Sequence, residues 1–329
     1  MKIIQEIGAP SFTNDDVRSV IEKIGWERFI KEIRKGFEQS SLGKADTPHK
    51  IYVNTPFESD MRCMPAYLTE YKGGKYAGVK VICVVPKNIQ RQMPCVLGEY
   101  LLRDAETMQL LAVMKAEELT AYRTGAATAV ATDVLALKGA KTMCMIGAGK
   151  QAYYQAKGIL AVRPSIEKIK VFDLFAACCQ RFKNYEKEFG VDIEVSTSVE
   201  DAIKCADVIT TVTPATVPFI SHNAITSGMH MNGVGADSKH KIEFDPHVLK
   251  KSKVFVDDME QCINSGEVYQ GLEKGMIDKS DLIPIGDVLI GKEKGRTSNS
   301  DITFFKSTGV AHEDLITAIL VYEHFKKQT

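Results

Sequence analysis

The amino-acid sequence reads as an α/β protein with a doubly wound parallel sheet. Three features carry that reading. After Gly139 short apolar runs alternate with helical segments, which is how parallel strands joined by crossover helices look in a sequence. A glycine-rich turn, Gly147-Ala148-Gly149, links the first of those strands to a helix. The 329 residues suffice for about two domains, and no apolar run approaches the ~20 residues that cross a bilayer.

Taken in order, Thr13 caps a helix that starts at Asn14, with Asp16 three residues on and Phe12 and Val17 placed to staple its first turn. A second helix follows Gly25, with Trp26, Phe29, Ile30, Ile33 and Phe37 at three- and four-residue spacing, and Gly43 ends it. From Ile51 to Met114 the texture turns to short β-rich runs. Cys95 to Leu102 and Gln109 to Met114 form a hairpin around Asp104-Ala105-Glu106-Thr107. Leu119 to Leu137 is a long helix whose Gly125-Ala126-Ala127-Thr128-Ala129 lets another backbone come close. Strands follow at Thr142 to Ile146, Lys168 to Phe172, Ile193 to Ser196, Val208 to Val212, Met229 to Val234 and Val254 to Val256. A last helix, Ala311 to about Lys327, lies outside this alternation.

Composition excludes several functions. Lys+Arg and Asp+Glu are both 42, so the net charge is zero, unlike a chain that neutralises nucleic-acid phosphates or lies on an anionic membrane. The N-terminus carries Glu6, Asp15 and Asp16 without an apolar h-region, so no signal peptide is expected and the cytoplasm is the expected location. The eight cysteines form no C-x-x-C pair and read mainly as reduced, buried thiols. No histidine has metal-ligand spacing, His240 and His247 lacking a third ligand nearby, so no metal is expected.

In Gly147-Ala148-Gly149-Lys150-Gln151-Ala152, the first glycine permits the tight turn, the second lets a pyrophosphate approach the backbone, and Ala152 allows close helix–strand packing. Asp173, ending the next strand, is placed to accept hydrogen bonds from ribose hydroxyls. No cation follows it before Arg181, which favours NAD over NADP. Ligands of open parallel sheets bind beyond the carboxyl ends of the strands. Thr213 stands at one such end as a candidate nicotinamide neighbour. Asp237 stands at another, a candidate for catalysis or for a loop cap. In the earlier half, Lys80 interrupts a strand apolar on both faces, so it meets an anion, loses its proton or runs its stem to an edge. Arg123 sits in the small-residue helix as a ligand for an anion or a partner in a structural salt bridge, while Lys50 opens a β-like run and Arg62 precedes Cys63-Met64-Pro65-Ala66, each alone ordinarily a solvated surface charge.

These residues together resemble the ornithine cyclodeaminase/mu-crystallin family. The resemblance rests on Lys50, Asp60 to Ala66, Gly78-Val79-Lys80, Arg123 to Ala127, Gly147 to Gln151, Asn232 to Asp237 and Ser307 to Ala311, in that order. It implies a Rossmann doubly wound parallel sheet inserted into an α+β substrate-binding and dimerisation domain, residues 1–125 with 310–329 around 126–309. It further implies a homodimer. NAD would be held by Gly147, Ala148, Gly149, Lys150, Gln151, Asp173, Thr124, Thr213 and Val234. Lys50, Arg62, Lys80 and Arg123 would bind a small amino-acid, keto-acid or cyclic-imine substrate, with Asp237 acting in proton transfer and Lys80 as the other catalytic candidate. Within the family the sequence is most similar to archaeal-type alanine dehydrogenases, which implies reversible oxidation of L-alanine to pyruvate and ammonia. Cyclodeaminases carry a glutamate where this chain has Arg62, a departure that disfavours a substrate with a distal ammonium. The alternatives are a cyclodeaminase that recycles its hydride, a cyclic ketimine reductase, and a mu-crystallin-like NAD(P)H and ligand binder.

Overall fold

A computed structural model of the protein describes residues 8–327. They form two compact units, one running up to Arg123 and resuming at Val310, the other spanning Thr124–Gly309. Among the described residues no helix is long and apolar enough to cross a membrane.

The first unit carries a mixed sheet of β1 (Ser11–Phe12), β2 (Ala45–Asp46), β3 (Ile51–Thr55), β4 (Ser59–Tyr71), β5 (Gly74–Val84), β6 (Val96–Asp104) and β7 (Leu110–Lys115). The strand order is β1-β7-β6-β5-β4-β2, with β3 also paired to β4. The β6–β7 hairpin turns where expected. Asp104 Oδ1 accepts hydrogen bonds from the N–H of Glu106 (3.0 Å) and of Thr107 (2.8 Å), a side-chain turn that asparagine and aspartate favour. Helix α1 (Asn14–Ile24) begins with the reciprocal Thr13/Asp16 capping box, and α2 (Trp26–Ser41) buries Phe29, Ile30, Ile33 and Phe37. The last helix, Ala311–Lys326, packs against α1, α2 and the sheet strands β4 and β5. That placement explains why its residues from Ala311 to Val321 are buried all round.

The second unit holds β8 (Thr142–Ile146), β9 (Lys168–Phe172), β10 (Asp192–Val195), β11 (Val208–Thr211), β12 (His230–Gly233), β13 (Lys253–Val256), β14 (Leu282–Pro284) and β15 (Thr303–Lys306). All pair in parallel, in the order β10-β9-β8-β11-β12-β15-β13-β14. Every strand therefore ends on one edge. The sequence reading omitted β14 and β15, although β15 lies between β12 and β13 in the middle of the sheet. Its four residues end in Lys306, a poor strand signal, and the lysine is tolerated at zero exposure only because Glu267 lies 2.8 Å away.

Helix α3 (Ala116–Leu135) uses its small residues as expected, and the partner is α4 (Lys150–Val162). A Cβ added to Gly125 would stand 2.3 Å from the Tyr154 carbonyl oxygen, and one on Gly158 would stand 2.6 Å from the Gly125 oxygen. The end of α3 is held by two arginines. Arg163 Nη2 donates to the carbonyls of Thr132 (2.7 Å) and Ala136 (3.1 Å), and Arg296 Nε to that of Leu135 (2.5 Å).

Candidate active site

The glycine turn leaves β8 at the carboxyl edge of the second unit's sheet. Gly147 has φ +93°, and a Cβ there would press to 3.1 Å on the Val212 carbonyl oxygen, so only glycine makes this turn without strain. Gly149 precedes α4, and an added Cβ at that position meets nothing within 4 Å. Its backbone is thus open to a ligand, at a helix end whose N–H groups and dipole favour phosphate. Gln151 Oε1 is buried beside this turn without a hydrogen-bond partner. These features fit a dinucleotide.

Asp173 holds the turn in shape: its Oδ2 accepts from the Ala148 N–H at 2.7 Å and its Oδ1 from the Phe175 N–H at 2.9 Å. A carboxylate has about four acceptor sites, so two remain for hydroxyls. Thr124 precedes Gly125 at the α3–α4 seam and is buried.

Thr213, Val234 and Asp237 follow β11 and β12 on the same edge. Thr213 and the Gly235 turn between Val234 and Asp237 are held by Glu243, a residue the sequence reading did not select. Its Oε1 accepts from the Thr213 N–H (2.7 Å) and hydroxyl (2.8 Å), and its Oε2 from the Gly235 N–H (2.8 Å) and the Thr211 hydroxyl (2.7 Å). Complete burial and the neighbouring Glu267 carboxylate raise the Glu243 pKa. Gly235 is glycine because a Cβ there would lie 2.1 Å from the Thr213 oxygen. Asp237 Oδ1 lies 2.7 Å from Lys241 Nζ, and its side chain is 18% exposed, open enough to meet a ligand.

In the first unit, Lys80 is fully buried and meets an anion. The Asp314 carboxylate lies 2.8 Å from its Nζ and 3.0 Å from Arg123 Nε, while Arg123 Nη1 reaches Glu313 at 2.8 Å. Burial and the Arg123 guanidinium together push the Lys80 ammonium down to about 7, with Asp314 opposing and Lys50 adding further repulsion. Lys50, Lys80 and Arg123 are thereby brought together. Arg62 is opposite Ile82 on β5, and Lys80 is two residues from Ile82, so Arg62 and Lys80 project from the same sheet face. Arg62 Nε contacts Asp60 Oδ1 at 2.6 Å, and its guanidinium lies 5.2 Å from the Tyr52 ring centroid.

Glu313 and Asp314 were also missed. At the start of an apolar helix two acids read as ordinary partners of the helix dipole. Only their burial, at zero side-chain exposure, marks them as partners of cations. A further difference concerns His247, which does have neighbours of ligating type: His222 and Asp245 meet it in space though not in sequence.

Residues 14–329 match the ornithine cyclodeaminase/mu-crystallin family profile. An alanine dehydrogenase of Archaeoglobus fulgidus is 36% identical over 314 residues, covering 95% of this chain and 94% of that one. The solved Delta(1)-pyrroline-2-carboxylate reductase of Thermococcus litoralis, in complex with NADH and L-proline, superposes with a TM-score of 0.91 at 32% identity, covering 97% of this chain and 98% of that one. An archaeal alanine dehydrogenase dimer with bound NAD gives a TM-score of 0.89 at 34% identity, covering 98% of this chain and 97% of that one.

Proposed function

The chain belongs to the ornithine cyclodeaminase/mu-crystallin family, and we propose that it is an NAD-dependent oxidoreductase acting reversibly on the Cα–N bond of a small L-amino acid, with L-alanine, pyruvate and ammonia as the first candidates. The observation that carries this reading is the buried Lys80–Arg123–Asp314 cluster. Asp314 is shared between Lys80 and Arg123 while Glu313 answers Arg123 alone, and Lys80 is near its titration point, so an incoming carboxylate would favour the charged form of the lysine. Arg62, on the same face, adds a donor for a second carboxylate or oxo oxygen.

The glycine turn, Asp173, Thr124, Thr213 and Val234 would hold NAD, which when bound supplies the hydride acceptor for Cα. Asp237 takes a proton from the amine or from the water that attacks the resulting imine. Lys80, at about 7, is itself able to exchange a proton near neutrality. The archaeal alanine dehydrogenase is a dimer, which supports a homodimer here.

A second reading, reduction of a cyclic imine such as a pyrroline carboxylate, is favoured by the similarity to the pyrroline-2-carboxylate reductase solved with NADH and L-proline. The deciding experiment offers L-amino acids with NAD, and keto acids plus ammonia or cyclic imines with NADH, while nicotinamide absorbance and free ammonia are both followed. Alanine-dependent NADH formation is expected. Exclusive use of cyclic imines would replace the first reading with the second, and ornithine turnover at constant nicotinamide absorbance would defeat both.

A further inference from the structure

Outside the residues discussed so far as substrate and cofactor ligands, one cluster on the second unit has the composition of a metal centre. We propose that His222, Asp245 and His247 bind a divalent transition-metal ion of the zinc class. His222 Nδ1 lies 2.6 Å from Asp245 Oδ2 and His247 Nδ1 lies 2.8 Å from Asp245 Oδ1, with the candidate ligand atoms all within 4.8 Å of one another. Two imidazoles and a carboxylate, with a fourth position left to water, form a donor set suited to tetrahedral zinc.

The backbone holds these donors in place. The segments before His222 and Asp245 are joined by a bridge between Ile220 and Phe244, both buried, and by the Asp245 N–H donating to the Ile220 carbonyl at 2.9 Å. Asp245 caps the following turn by accepting the His247 N–H at 3.0 Å, which fixes the third donor relative to the second. Capping accounts for that bond but not for the convergence of two imidazoles on one carboxylate.

Zinc bonds of ~2.0–2.2 Å set tetrahedral ligand atoms about 3.3 Å apart, so admitting the ion lengthens the short imidazole–carboxylate contacts and draws in the more distant donor pairs, all of which already lie within 4.8 Å. The imidazole protons then reside on Nε2, leaving the Nδ1 lone pairs for the metal. The side chains of His222 and His247 are 34% and 49% exposed, so an ion reaches them from solvent. Occupation would cross-link two segments 23 residues apart and stabilise this unit increasingly as the metal concentration rises above its dissociation constant.

The test titrates zinc chloride alone into chelator-treated, tag-free protein by calorimetry, beside His222→Gln and His247→Gln. One saturable equivalent is expected. Each substitution should weaken it by more than the ~10–100-fold that loss of an outer-shell partner costs a metal site. Far-UV circular dichroism and NADH binding check that both variants fold. Cobalt substitution should show no thiolate charge-transfer band. Absence of saturable uptake, uptake unchanged in both variants, or a cobalt–thiolate band would each overturn the proposal.

Discussion

Asp314 stands between Lys80 and Arg123, 2.8 Å from the ammonium and 3.0 Å from the guanidinium Nε, at zero side-chain exposure. Asp314 thus bridges two cations that burial alone would expel, with Glu313 as the second acid on Arg123. Asp314→Asn keeps the shape and removes the charge. The expected cost is the ~3–5 kcal/mol that follows when one partner of a buried ion pair is lost, measured by urea unfolding. A loss below about 1 kcal/mol would mean that Glu313 or water carries the balance.

The low Lys80 pKa sets a direction for substrate binding. Its ammonium is populated below about 7 and lost above it, so carboxylate affinity falls as pH rises through that value. Pyruvate binding to the NADH complex should weaken by up to ~10-fold per pH unit above it, the limit for one proton. Binding should also take up a proton near neutrality, because the carboxylate favours the charged lysine. Lys80→Met should flatten the profile, and a profile equally steep in that variant would place the titration elsewhere.

Arg62 is 14% exposed and already bonded to Asp60, so it is oriented in advance. As a charge-assisted donor to substrate it is worth roughly 1.5–3 kcal/mol, about one to two orders of magnitude in kcat/KM. Arg62→Ala should show that loss with NADH affinity nearly unchanged. Undiminished turnover would return Arg62 to the role of an ordinary partner for Asp60.

Asp237→Asn retains the side chain's size and its ability to accept from Lys241. It cannot take up a proton. Folding and NADH binding should persist while kcat falls by at least the ~10²-fold typical of general acid–base catalysis. Near-normal turnover would leave Lys80 as the proton carrier.

The Asp173 carboxylate ties the Ala148 N–H and has acceptor capacity left for hydroxyls, which is where the proposed ribose contact would fall. Asp173→Ala should weaken NADH binding and narrow the difference between NADH and NADPH, as read by fluorescence titration. Equal affinities in the unsubstituted protein would contradict the ribose assignment.

Local rules carried the sequence reading as far as local interactions reach. The Thr13/Asp16 box, the hairpin at Asp104 and the turn at Gly147 each need only a few adjacent residues, and each formed as expected. The missed features share the opposite property. Lys306 is a strand residue because of Glu267, Thr213 and Gly235 are posed by Glu243, and the acids of the last helix answer Lys80 and Arg123. Each depends on a carboxylate elsewhere in the chain, from 8 residues away for Gly235 to 234 for Lys80, and hydropathy patterning does not encode such pairings. His222 and His247 escaped for the same reason, Asp245 joining them through a bridge that no spacing rule describes.

Lys80 and Asp314 are 234 residues apart, which gives their pairing a temporal side. At synthesis rates of ~5–20 residues per second, the lysine emerges about 10–50 s before its carboxylate exists. During that interval the first unit's sheet has strands but neither the helix that covers it nor the charge that lets Lys80 enter the interior. The nascent chain must therefore wait, solvated at Lys80, while the whole intervening unit is made, and its closure follows the synthesis of the helix that carries Asp314.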